Sequence, residues 1–283
     1  MQTVSDPATE SHPPSRRARR AAQAPVSAPL PDIPHAPFRP LVTGGVLAGC
    51  LLLALSAYAG PVLVAVTVAA AGCIVAWGWA GLLGLPSPRG TTTVLGLGVA
   101  AIVASVAFVQ DDPFLRWLPA GVAFSMIAAF AHQLARRDGR PRLVESVAST
   151  VCALSIFASG ASLVPLPHTY GGQHVVAAAS AAVAASALTD LAGHWERLRH
   201  WLLPLAMFGG ALVAILVAAV SGQLAWGPAA LLGVVAAGVS HAIRRLLCHL
   251  PTIAGARPQL VVAAASLLTT GVVVYVVSRI FVA

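Results

Sequence analysis

From Leu41 to the end of the chain, apolar runs follow one another with only short polar segments between them. That pattern leaves few folds open. A helix needs roughly 20 apolar residues to cross the ~30 Å hydrocarbon core of a bilayer, and only helices and closed barrels satisfy their backbone there. The composition points the same way: 58% of residues are hydrophobic and 9% charged, whereas a soluble domain carries about a quarter charged residues. The expectation is an all-α integral membrane protein, a polytopic bundle of about nine transmembrane helices at this run length.

Bounding each run by its turn or charge signals places spans near 41–59, 61–84, 92–109, 115–134, 143–163, 174–192, 201–220, 224–243 and 259–281. Residues 41–85 form one apolar stretch too long for a single span at ~1.5 Å per residue. Gly60-Pro61 divides it, because glycine suits a helix end and proline a helix start.

The basic residues test this count. All seventeen are arginine, and short cytoplasmic loops are enriched in arginine. With the N-terminus inside, Arg16, Arg17, Arg19, Arg20 and Arg39 precede the first span. Arg89 follows the second, and Arg136, Arg137, Arg140 and Arg142 the fourth. Arg197 and Arg199 follow the sixth; Arg244, Arg245 and Arg257 follow the eighth. Only Arg116 and Arg279 fall on the other side. Merging the first two spans would destroy this asymmetry, so nine spans are expected, with the N-terminus cytoplasmic and the C-terminus outside. The tryptophans fit a boundary belt: Trp77, Trp79, Trp195 and Trp201 toward the inner side, Trp117 and Trp226 toward the outer.

Residues 1–40 are a different material, rich in Pro, Ala and Arg and poor in large apolar groups. Such a segment cannot bury enough surface to offset chain entropy, so a disordered cytoplasmic tail is expected. Its Ser-Arg-Arg-Ala-Arg-Arg run reads as a solvated polybasic stretch that meets anionic lipid headgroups at the inner leaflet, not as a nucleic-acid site. The apolar run begins too far downstream for a signal peptide.

Inside the spans, Glu145, Ser149, Cys152, Ser155, Ser159 and Ser162 recur at helical spacing and predict a close-packing stripe on the fifth span. The Ala/Ser-rich sixth span is expected to be an inner helix, and Gly45 with Gly49 to make a small-residue contact. Arg-Pro at residues 39–40 and 257–258, Arg140-Pro141-Arg142, and Ala-His-Gln-Leu-Ala-Arg-Arg against Ser-His-Ala-Ile-Arg-Arg suggest a duplicated four-span unit plus a ninth helix. Independent selection for Pro at helix starts and Arg in inner loops explains the same pattern. Cys50, Cys73, Cys152 and Cys248 have no paired spacing and read as small apolar filler.

Ionisable groups within spans are the default place to look for function. Here they gather near the inner boundary: His132, Arg136, Arg137, Glu145, Asp190, His194, His241, Arg244 and Arg245. These are the candidate inner-rim binding residues. They either snorkel and cap helix ends, or converge on a cytoplasm-facing pocket for an anionic group. On the outer side, Asp111, Asp112, His168 and His174 would bind a metal only if their loops met.

Catalytic signatures are missing: there is no lysine, no Gly-rich phosphate loop, no HExxH and no GxSxG. Length and span count make the chain similar to phosphatidate cytidylyltransferases. Their acidic, lysine-containing signature near the C-terminus has no counterpart here, since no Asp or Glu follows Glu196, and no family is claimed. No cofactor or metal is expected. The functional expectation is a permease-like or lipid-handling protein of the cell membrane with an Arg/His rim. The alternatives are a non-catalytic envelope scaffold with membrane-protein partners, and a lipid-modifying enzyme using Glu145, Asp190 and the inner histidines.

Overall fold

The computed structural model describes residues 39–136, 139 and 141–282, with the backbone alone at His194. The expected tail and Arg137 lie outside the described residues. Among those residues the structure is all helical, with nine spans long and apolar enough to cross a membrane.

The helices are α1 (Pro40–Ala59), α2 (Pro61–Leu82), α3 (Pro88–Ala107), α4 (Leu118–Ala135), α5 (Leu143–Ala161), α6 (Gly172–Thr189), α7 (Leu202–Ser221), α8 (Trp226–Cys248), α9 (Ala256–Leu268) and α10 (Gly271–Phe281). Proline opens α1, α2 and α3, where its missing N–H has no helical partner to lose. Gly60 breaks the first apolar stretch with φ 125, a conformation that only glycine adopts without strain.

Contacts between distant helix ends place the spans in alternation. Arg142 Nη1 donates to Gly84 O at 2.7 Å, and the Thr252 hydroxyl donates to Leu82 O. At the other end of the bundle Tyr58 Oη lies 3.2 Å from His174 Nδ1, Tyr170 Oη 3.1 Å from Gln223 Oε1, and Arg279 Nη2 2.6 Å from Asp112 Oδ2. One end therefore collects Arg39, Arg89, Arg142, Arg197, Arg199 and Arg257, with Arg244 and Arg245 in the last turns of α8. We call it the arginine-rich end.

Helices α6, α7 and α8 pack against one another, and α2, α3, α4 and α5 form a second group. Helix α9 lies between them and touches α1, α2, α5 and α8. Packing thus does not sort the spans into one to four and five to eight, since α5 joins α2–α4 and α1 packs on α6. Gly45 and Gly49 supply the close α1–α9 approach: a Cβ there would come within 2.9 Å of Ala263 Cβ and Leu267 Cδ2 respectively. Helix α6 is the expected inner helix, with Val175, Val176, Ala178, Ala182, Val183 and Ala187 at most 1% exposed.

Three sequence expectations need correction. The ninth span is found over Ala256–Phe281, but a turn at Thr269 and Thr270, both with right-handed helical backbone angles, divides it into α9 and α10. The serine stripe of α5 is a packing seam only in its second half: Glu145, Cys152 and Ser155 face outward, whereas Ser159 and Ser162 are buried, and the rest of the buried face is built by Ser146, Thr150, Ala153, Leu154 and Phe157. Large apolar volume decides which face turns inward. Ser155 can face out because its hydroxyl bonds its own helix at Val151 O, 2.9 Å away. Trp79 is 2% exposed and donates through Nε1 to Ser149 O at 3.0 Å, so it is a core residue and not part of a boundary belt.

Candidate charge cluster between α6 and α8

An acidic side chain at the C-terminal end of a helix meets the negative end of the macrodipole and needs a cation. Asp190 is in that position, immediately after Thr189 closes α6. The cation is Arg244. By hydropathy Arg244 falls in the loop after the eighth span, but α8 continues to Cys248 and holds it as a helical residue, 1% exposed. The helix runs on because the guanidinium is met on three sides.

Arg244 Nε donates to Asp190 Oδ2 at 2.7 Å, and Nη1 to Ser240 Oγ at 2.7 Å. Nη2 donates to Ser186 O and to Ser186 Oγ, each at 2.9 Å. Ser186 O is one of the last four carbonyls of α6, so the arginine joins the Thr189 hydroxyl, which donates to the same oxygen at 2.8 Å, in satisfying that helix end. His241 Nδ1 lies 3.1 Å from Asp190 Oδ1 but off the hydrogen-bond direction, so that contact becomes an ion pair only when the imidazole is protonated. The Asp190 side chain keeps 21% of its surface exposed, against 2% for Arg244 and 3% for His241. The carboxylate is thus the face of the cluster that reaches its surroundings.

Of the candidate rim residues whose side chains are described, Asp190, His241 and Arg244 come together; His132, Arg136, Glu145 and Arg245 do not. His132 sits on α4 with its ring against Gly90 of α3, where an added Cβ would overlap the imidazole, and its Nε2 is buried without a hydrogen-bond partner. Helix α4 packs on α3 and α5, away from the α6–α8 seam. Arg136, buried at 9% exposure, donates to Gln133 Oε1 at 2.9 Å. Glu145 is exposed and paired with Arg142 three residues before it. Arg245, half-buried, accepts at its carbonyl from His249 Nδ1. Arg137 and the His194 side chain lie outside the described residues.

Sequence reasoning missed Ser186 and Ser240, the two hydroxyls that complete the guanidinium shell. Each stands four residues before its charged neighbour, Ser186 before Asp190 and Ser240 before Arg244. That spacing puts both pairs on one helix face, and it was available in the chain.

The opposite end gathers no comparable cluster. His168 stacks on Phe114, with ring centroids 5.7 Å apart, His174 meets Tyr58, and Asp112 pairs with Arg279. Among the described residues no three His, Cys, Asp or Glu side chains gather to hold a metal. No protein-family model, curated protein or solved structure matches the chain.

Proposed function

We propose that this chain is a permease-like or lipid-handling protein of the cell membrane. Its arginine-rich end faces the cytoplasm, its C-terminus lies outside, and the Asp190–Arg244–His241 cluster is its charge-handling element. The sidedness rests on the enrichment of arginine in cytoplasmic loops. The observation that carries the functional reading is the burial of Arg244 with Asp190 as its ionic partner, Asp190 itself remaining part-exposed. Burying an ion pair gives little net stability compared with apolar packing of the same volume. An ionisable pair kept inside a span is therefore a functional site by default, here one through which an anionic solute or headgroup exchanges with the carboxylate for the guanidinium. Membrane lipids with anionic headgroups at the inner leaflet are the expected partners.

Such exchange requires the seam between α6 and α8 to open to water. The test places a single cysteine at Ser186, buried at 0% exposure, in a chain whose four native cysteines are replaced, with Glu196→Cys as the exposed control. Labelling by a water-soluble maleimide in vesicles is then followed with time. The reading expects Ser186→Cys to react more slowly than the control but to completion. Protection of Ser186→Cys long after the control has reacted would sink it.

The scaffold reading draws on one observation, the dense burial of α6. It predicts the protected outcome, and co-purifying membrane-protein partners that are lost when residues 1–38 are deleted.

A further inference from the structure

We propose that Arg257 and Trp77 form a binding site for the phosphodiester of an anionic phospholipid on the flank of the bundle at its arginine-rich end. The site is separate from the Asp190 cluster and rests only on the chain lying in a bilayer.

Arg257 stands in the first turn of α9, and its guanidinium carbon lies 4.2 Å from the centre of the Trp77 ring on α2. Its position is imposed by packing. Gly78 has no side chain, so α9 closes onto α2 there; a Cβ at residue 78 would overlap Val261 and stand 3.3 Å from Arg257 Cγ. The aliphatic stem of the arginine therefore runs along the α2 backbone and delivers the guanidinium to the indole.

Stacking uses the face of the guanidinium and leaves its N–H donors in the plane, directed away from the ring. Among the described residues those donors have no acceptor. Among the described residues no carboxylate lies within 4.0 Å of Arg257, while Asp112, Glu145 and Asp190 are each paired with another arginine. A fixed cation with a free bidentate edge is matched to a phosphate oxygen pair. The positive end of the α9 dipole lies beside it and adds to the attraction.

The surroundings select a lipid over a free anion. Trp77 is 49% exposed, and Ile74, one turn deeper on the same face of α2, is 37% exposed. An acyl chain running down from the phosphate would cover both. Trp77 is five residues short of the end of α2 at Leu82, about 7.5 Å below it at ~1.5 Å per residue, a depth suited to an indole at the headgroup boundary.

The test is native mass spectrometry of the full chain in detergent, with phosphatidylglycerol or phosphatidylcholine added, comparing the parent protein with Arg257→Gln, Trp77→Leu and Arg116→Gln. Retained phosphatidylglycerol is expected to fall about three- to tenfold in Arg257→Gln and Trp77→Leu, the loss of roughly one charge-assisted contact. Arg116→Gln, at the opposite end, and the phosphatidylcholine signal should not change. Arg257→Lys, which keeps the charge and the fold but loses the fork, should fall between the parent and Arg257→Gln. Equal retention by Arg257→Gln and the parent overturns the site. Displacement of the lipid by millimolar inorganic phosphate overturns the assignment to a lipid.

Discussion

Ser159 Oγ donates a hydrogen bond to Thr269 O at 2.8 Å and accepts one from Val272 N at 3.0 Å, so one side chain of α5 bonds both sides of the turn in the ninth span. Backbone bonds from Thr269 N to Ala265 O, Thr270 N to Leu267 O and Val274 N to Thr270 O carry the chain through the turn, and Ser159 supplies the partners for Thr269 O and Val272 N. Gly271 makes the arrangement possible by packing directly on the backbone of Ser159 and Gly160. The break lies on the α5 side of the bundle and the charge cluster on the α6–α8 side, with α9 touching both α5 and α8.

Replacing Ser159 by Ala removes one donor and one acceptor at a buried position. The loss is expected to be about 1–3 kcal/mol, read as a lowered melting temperature in detergent. Faster hydrogen exchange should be confined to the amides of the first turn of α10. Unchanged exchange there would show that Ser159 does not hold the junction.

Gly271→Ala should be at least as damaging, because an added Cβ would lie against Ser159 O and 3.1 Å from Gly160 Cα. Backbone on both sides cannot yield as a flexible side chain can, and overpacking of this kind costs about 1–3 kcal/mol. Gly44→Ala, with nothing within 4 Å of the added methyl, serves as the control and is expected to be neutral within about 0.5 kcal/mol.

The Asp190–Arg244 pair is best tested as a cycle. Arg244→Leu alone leaves a carboxylate at a helix C-terminus without its cation, and Asp190→Asn alone leaves a buried guanidinium without its anion. Each is expected to destabilise by about 3–5 kcal/mol. The double variant should recover much of that loss, so the two effects should be far from additive in thermal unfolding. Additivity would mean that the two charges do not act on each other.

Arg279 and Asp112 form an ion pair of similar length at the opposite end, but both side chains are exposed, at 36% and 51%. Water and salt screen such a pair, so Asp112→Asn should change stability by no more than about 1 kcal/mol. The contrast with Asp190→Asn isolates burial as the variable.

Much of the frame was legible in the chain. The hairpin at Gly60-Pro61 was, because proline and glycine act through their own backbone geometry and need no partner. The nine helices long and apolar enough to cross a membrane were, because apolar length is a local property. The inner position of α6 followed from its small residues. The serine stripe of α5 held at Ser159 and Ser162 and misled at Ser155, because a hydroxyl that bonds its own helix carbonyl, as Ser155 does to Val151, carries no information about the face it sits on. Trp79 misled for a related reason: its indole N–H found an acceptor in Ser149 of another helix and so could be buried.

The sequence by itself determined how many helices are long and apolar enough to cross a membrane, where the chain turns between them and which end gathers the arginines, since hydropathy, proline, glycine and charge act within one segment. Tertiary structure alone decided that Arg244 is buried against Asp190 across 54 residues of chain. It also decided that Ser159 caps a break 110 residues away, and that Arg257 lies over Trp77. The physical reason is the same in each case. A charge, a hydroxyl or a free helix end takes its role from the group that satisfies it, and here that group comes from another helix.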